Sequence, residues 1–379
     1  MVPDVGMNPM GPLGIQSTAT PATTNDYNRA MPRFEIDRDY LSKTLIDLLN
    51  TPSPTGDTDW AISFVEQELE VFGIHAGRTY KGALVANMPG LSDESPRALT
   101  AHVDTLGAMV AEIKPSGRLR MSAIGGINWS SIESEGVTVM TKSGRGIAGS
   151  IVLTNGATHV NKKSGSEDRN GDTLEIRLDE VTASAEETRM LGIEVGDFVY
   201  LDPRVVFNAS SGFIRSRFLD DKACVASLLA ALKAISDAGV TPMRRTSVLI
   251  SNFEEVGHGG VDGLPDDLAE LLVLDMAVVG TGQQGSEFHC SVCVKDASGP
   301  YSRRFTDKIR SIAEKNGVDL KPDIYPYYAS DGSQYWRSGG RAEVALIGPG
   351  VDTSHAYERT HISALVNTAT LIAEYLIEE

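Results

Sequence analysis

Hydrophobic and polar positions change period along the chain, and each change marks an element. From Asp39 to Leu49 the apolar residues fall at helical spacing, and the run stops at the Pro52-Ser-Pro54-Thr-Gly56 loop. Asp57 or Thr58 then caps a second helix, with Ile62, Val65, Leu69 and Phe72 on one face and Gly73 as its stop. Arg97 to Thr105, RALTAHVDT, reads as a buried strand. From about Leu106 to Asn208 short alternating pieces take over, among them Val137 to Met140, Gly149 to Leu153, Leu174 to Leu178 and Asp197 to Leu201. Gly, Ser and Asp clusters separate them, and the one helical piece lies around 184–192; this predicts a small all-β unit. Beyond Asn208 helices are expected over Asp221 to Asp237, Ser302 to Asn316 and Ser363 to Ile377. Strands are expected over Thr246 to Phe253, Leu271 to Val279 and Ala342 to Ile347. The simplest assembly is one α/β domain, residues 34–107 and 209–379, interrupted by an inserted β domain at 108–208. Residues 1–33, rich in Met, Pro, Thr and Asn without periodicity, read as a flexible tail.

At 379 residues the chain suits about two domains, and 41% apolar content can fill a sizeable core. Thirty-four basic against 51 acidic residues leave a formal charge of −17, which disfavours nucleic acid and anionic membrane surfaces as partners. No apolar run approaches the roughly 18 residues of a membrane span. Three cysteines make no disulfide framework and fit a reducing compartment, and the N-terminus does not read as a signal peptide; the cytoplasm is the expected location.

The candidate chemistry sits where predicted strands end, which is where α/β sheets collect functional groups. His102 and Asp104 close one strand on a single face, the pattern of a metal-bound imidazole with an orienting carboxylate or of a structural pair. Asp220-Asp221 precedes a helix, and alone would be an N-cap. Glu254-Glu255 follows a buried strand; two such close acids resist joint ionisation unless a cation neutralises one. Asp275 interrupts LLVLDMAVVG, where an unpaired buried carboxylate costs several kcal/mol. His355, in SHAYERTH, competes with His361 as a ligand. Nitrogen and oxygen donors without thiolates suit Zn, Co or Mn.

In AHVD (101–104), RFLDDKACVASLLAAL (217–232), EEVG (254–257), the strand with Asp275, and SHAYE (354–358), the sequence resembles the dinuclear-metal aminopeptidases of metallopeptidase family forty-two, the glutamyl and tetrahedral group. The order and spacing fit over essentially all of 37–379. GVDTSHAYERTH is also similar to a subgroup associated with an N-acetylated, amidated glutamine dipeptide osmolyte. The resemblance implies a zinc-peptidase-like mixed sheet flanked by helices, with a small inserted β-barrel, PDZ-like, that serves dimerisation; dimers in turn can form dodecamers. It implies two divalent ions per subunit: His102 and Asp275 on one, Glu255 and His355 on the other, Asp220 bridging both. Asp104 would orient His102, Glu254 would be the general base, and Asp331 in SDGSQ would support the substrate pocket. Here the family's Asp-Asn-Arg-like triplet reads Asp220-Asp221-Lys222, which alters the surroundings of the bridging acid.

The expected function is metal-dependent removal of N-terminal residues from peptides. The same ligands would serve an amide hydrolase or deacylase acting on a small amidated or acylated peptide. Paired carboxylates could instead cleave glycosides without metal, and a non-catalytic assembly protein could keep the fold. Cys290-Ser-Val-Cys293 lacks a second pair and reads as packing; His159, His258 and His289 read as surface, interface or strand residues.

Overall fold

A computed structural model describes residues 33–379. The tail expected over 1–33 lies, Arg33 aside, outside the described residues.

Four parallel strands carry the site. Ser92–His102 lies between Arg244–Ser251 and Glu270–Leu274, and Glu343–Asp352 follows Glu270–Leu274. Glu270–Leu274 and Glu343–Asp352 are near-continuous apolar runs, as burial on both faces requires. Leu84–Met88 and Ala76–Arg78 extend one side antiparallel. On the other, Cys290–Asp296 pairs antiparallel with Glu343–Asp352, as does Glu358–His361 through Asp352 and Arg359. Cys290 and Cys293 face different cores, as period two requires.

Helix Leu219–Asp237 is buried over most of its circumference, between the sheet and helices Arg38–Leu49 and Ile362–Ile377. Its small residues Ala223, Ala226, Ala230 and Ala231 permit that close approach, while Leu228, Leu229 and Leu232 fill the gaps. Each fully buried leucine contributes roughly 2 kcal/mol of transfer free energy. Asp37 caps Arg38–Leu49 by accepting the Tyr40 N–H at 2.9 Å.

Gly107–Ile113, Leu119–Ile124, Leu174–Leu178, Gly146–Leu153, Gly136–Met140 and Phe198–Leu201 close, in that spatial order, into an antiparallel barrel. Alternation sends Val110, Leu119, Val139, Ile151, Ile176 and Val199 inward to form a separate core. Val206–Asn208 already pairs in the large sheet. The barrel meets the α/β part through Tyr200, whose hydroxyl donates to Asp57 and whose ring packs edge-on to Trp60.

The strand expected over Leu271 to Val279 is two strands, Glu270–Leu274 and Ala277–Val279, broken at Asp275 and Met276. Asp275 donates its N–H to the Ile347 carbonyl at 3.1 Å, so the chain stays tied to its neighbour while the Asp275 carboxylate leaves the ladder.

Candidate metal centre

The parallel strands end on one edge, with Ser251 beside His102 and Leu274 beside Ile347. His102 is the last residue of its strand, and Asp275 follows directly on Leu274. One turn of 3-10 helix, Glu254–Val256, begins three residues after Ser251. His355 lies three residues beyond Asp352. Asp220 and Asp221 reach the same place from the start of the buried helix, where both have non-helical dihedrals and a cis peptide joins them.

His102 Nδ1 is 2.9 Å from the carbonyl oxygen of Asp104, which fixes that nitrogen as the donor. Nε2 is buried without a hydrogen-bond partner, with Asp220 Oδ1 3.3 Å and Glu254 Oε2 3.6 Å away. On the other side of Asp220, Oδ2 stands 3.5 Å from His355 Nε2, which is 3.7 Å from Glu255 Oε2. His355 Nδ1 in turn contacts the Gly126 carbonyl at 2.9 Å, so its Nε2 faces the acids. Donor atoms of His102, Asp221 and Asp275 lie within 4.8 Å of one another, and those of Asp220, Glu255 and His355 form a second such group. Asp220 therefore reaches both groups with its two oxygens.

These acids cannot share the space as bare anions. Burial first, and then the neighbouring carboxylates, pushes Asp275 up to about 8 and holds Glu254, Glu255 and Asp221 well above the usual carboxylate range. Asp331 is pushed up to about 6, again chiefly by burial. Lys222, next to Asp221 in the chain, does not neutralise them: its Nζ donates to the Thr51 carbonyl at 2.7 Å, and burial lowers it to about 7. An imidazole nitrogen and an Asp221 oxygen, both buried and unbonded, aim into this oxygen-rich cluster. That donor set fits divalent cations.

The structure thus brings together His102, Asp220, Glu254, Glu255, Asp275 and His355. Asp104 stands beneath them and differs in detail from expectation. The imidazole bond goes to its backbone carbonyl, while its carboxylate, 3.4 Å from Nδ1, accepts Thr55 Oγ1 at 2.7 Å and the N–H groups of Glu254 and Glu255 at 3.1 and 3.2 Å. Asp331 opens helix Asp331–Arg337, accepts Thr100 Oγ1 at 3.2 Å and lines the cavity it shares with Glu254. The Asp220-Asp221 pair does not serve as a plain helix cap. Asp221 instead accepts the His102 N–H at 3.3 Å and joins the first donor group, a role not expected of it. His361 is remote from both groups; it caps helix Ile362–Ile377 by accepting the Ser363 N–H at 3.1 Å. His159 and His258 are exposed, and His289 lies just before its strand with Nδ1 2.8 Å from Ser286 Oγ. Two residues were not singled out by sequence reasoning. Tyr328 lines the cavity and donates to the Met276 carbonyl at 3.1 Å, and Glu358 is bonded to the backbones of Asp220 and His355. Glu358's only sequence signal was its place at the end of SHAYE.

Gly348 holds the Asp275 break in place by close approach. A Cβ there would lie 1.9 Å from the Asp275 carbonyl oxygen. Gly348→Ala is expected to cost about 1–3 kcal/mol by overpacking and to displace Asp275. Thermal unfolding and metal content on the same samples check this, and wild-type values for both would contradict it.

A cavity of about 720 Å³ opens over the cluster, lined on one side by Asp220, Glu254 and Asp275 and on the other by Tyr327, Tyr328 and Arg337. Residues 82–371 match the family model described as M42 glutamyl aminopeptidase. The chain is 47% identical over 330 residues to "Putative aminopeptidase YhfE" of Bacillus subtilis (strain 168), covering 87% of this chain and 95% of that protein. Among solved structures it is similar to aminopeptidase APDkam598 from the archaeon Desulfurococcus kamchatkensis, with a TM-score of 0.81, 21% identity, and 90% and 96% of the two chains covered. It is also similar to the Pyrococcus horikoshii TET1 peptidase, with a TM-score of 0.75, 21% identity, and 89% and 100% covered. These two show the shared α/β fold with its inserted barrel. The family match spans most of the length and the Bacillus relative nearly all of its own, and on that footing the chain belongs to the M42 glutamyl aminopeptidase family, hydrolases of the aminopeptidase class.

Proposed function

We propose that the protein removes N-terminal residues from short peptides, using two divalent cations, Zn or Co or Mn. His102, Asp220 and Asp275 would hold one, and Asp220, Glu255 and His355 the other. The observation that carries this reading is the pair of donor groups meeting at the two oxygens of Asp220, with Glu254 beside them in the cavity wall. When bound, such a pair supplies Lewis acidity, which activates a water near neutral pH and polarises the scissile carbonyl. Glu254 takes the water's proton and passes it to the leaving amine. Asp104 keeps Glu254 and Glu255 in place by holding their N–H groups, and its carbonyl holds the His102 tautomer. Asp331 shapes the substrate side from the first turn of its helix. The acidic surroundings favour a substrate's protonated N-terminus over an acylated one, which supports exopeptidase action.

We further propose a homo-oligomer that dimerises through the inserted barrel, with a dodecamer as the higher state. The Pyrococcus horikoshii TET1 peptidase can assemble into a tetrahedron or a large octahedral shell, which supports this reading. Three free, buried cysteines support a reducing compartment, and so the cytoplasm. Among the described residues no helix is long and apolar enough to cross a membrane.

A screen of aminoacyl reporters and short peptides with Zn, Co and Mn, before and after a chelator, tests the function. Cleavage of free-amine substrates, abolished by the chelator and restored by metal, is the expected result. Preference for N-acylated substrates would replace it with a deacylase, and glucan hydrolysis that survives the chelator with a glycosidase.

A further inference from the structure

We propose that Glu358 is a positioning residue for the second cation position, and that its single carboxylate sets the separation of Asp220 and His355. The inference rests on the two-cation reading given above. Glu358 is 2% exposed. Its Oε2 accepts the backbone N–H of Asp220 at 3.1 Å, and its Oε1 accepts the backbone N–H of His355 at 3.1 Å. Two of the three residues in the second donor group thus hang from one side chain.

The local backbone explains why such a clamp is needed. His355 has φ +63° and Phe218, two residues before Asp220, has φ +70°. Neither is glycine, so both segments adopt the left-handed conformation against their own preference and something outside them must hold it. A buried carboxyl group accepting one N–H on each oxygen is a directional restraint of that kind. It also stands on a rigid base. Glu358 opens strand Glu358–His361 and pairs with Ser216, in the strand that leads to Asp220; its neighbour Arg359 pairs with Asp352, at the end of the strand that leads to His355. The sheet therefore fixes the clamp relative to both segments at once. The first donor group is held by other means: His102 by the Asp104 carbonyl and Asp275 by its bond to Ile347. Asp220 belongs to the second group and borders the first, its Oδ1 3.3 Å from His102 Nε2.

Glu358→Gln keeps the size of the side chain and removes the arrangement. Its one oxygen can accept one N–H, and its NH2 group then confronts the other. The full-length wild type and variant are dialysed against zinc buffered at graded free concentrations, and zinc per chain is counted by mass spectrometry. The wild type is expected to take up two ions. In the variant one binding step is expected to weaken by at least about tenfold while the other stays within about threefold. Glu358→Asp, which keeps the charge but shortens its reach, is made alongside and decides the matter should Glu358→Gln not fold; it too should weaken one step alone. Unchanged affinity at both steps overturns the inference. So does equal weakening of both steps together with a lower melting temperature, which marks Glu358 as general support for the fold. A wild-type count of one ion removes the two-cation reading itself, whatever the variants do.

Discussion

Replacing Glu254 by Gln is expected to lower kcat by about a thousandfold while metal content stays at the wild-type value. The expectation follows from where Glu254 stands. It belongs to neither donor group, yet its Oε2 lies 3.6 Å from His102 Nε2 and its side chain lines the cavity. Its N–H is bonded to Asp104 Oδ1 at 3.1 Å, so the backbone at this position is set independently of the side chain. A glutamine there keeps the shape and the Asp104 bond but cannot take a proton from water. The loss should fall on kcat and kcat/KM alike, with little change in KM, because the missing step belongs to the transition state. Asp275→Asn is the contrasting case: a donor is weakened, so metal content and activity should fall together. Steady-state kinetics on the best reporter substrate, with metal counted on the same preparations, separates the two patterns. More than a tenth of wild-type kcat in Glu254→Gln would remove it from the proton transfer.

Much of this site was legible because its residues break a local pattern. Asp275 stood out as a charge in an apolar run, and the structure answers by ending the strand there. Glu254-Glu255 stood out as two acids after a buried strand, and the 3-10 turn sends one toward His102 and the other toward His355. What was not legible is what depends on backbone conformation. The strand expected to stop at Ile347 runs on to Asp352, because Gly348-Pro349-Gly350 carries turn residues that here serve close packing against Asp275 and Ser286. Asp220-Asp221, taken apart from the family resemblance, reads as a helix cap, since a sequence does not show that two residues at a helix start have left helical geometry. Asp221 and Glu358 act on backbone N–H groups, which leave no side-chain pattern to read. His355 and His361 were equivalent on paper; the strand Glu358–His361 separates them, placing one before it at the acids and the other at its end as a helix cap.

Metal-free protein should lose stability as pH rises from about 5.5 to 8, and metal-loaded protein should not. Burial, with Asp220 nearby, raises Glu358 from 4.5 to about 8, and burial raises Asp275 from 3.8 to about 8. Each is therefore protonated in the folded chain over a range where the unfolded chain has released the proton. Stability from such a group is fully present below the unfolded value and is lost as pH climbs through the folded one. His355, raised from 6.5 to about 10 by its bond to Asp220, acts in the same direction from pH 6.5 upward. The contributions add, and the metal-free chain should lose on the order of a few kcal/mol over this window, roughly 5 °C in melting temperature. With cations present the dependence reverses, because ligands must be deprotonated to bind and tighter binding stabilises the folded state by mass action. The gap between metal-loaded and metal-free melting temperatures should accordingly widen with pH. Melts at half-unit pH intervals, with and without chelator, measure it directly. A metal-free melting temperature that is flat or rising across the window would mean that these carboxylates are not held together in the buried cluster, and the donor arrangement on which the peptidase chemistry depends would fall with it.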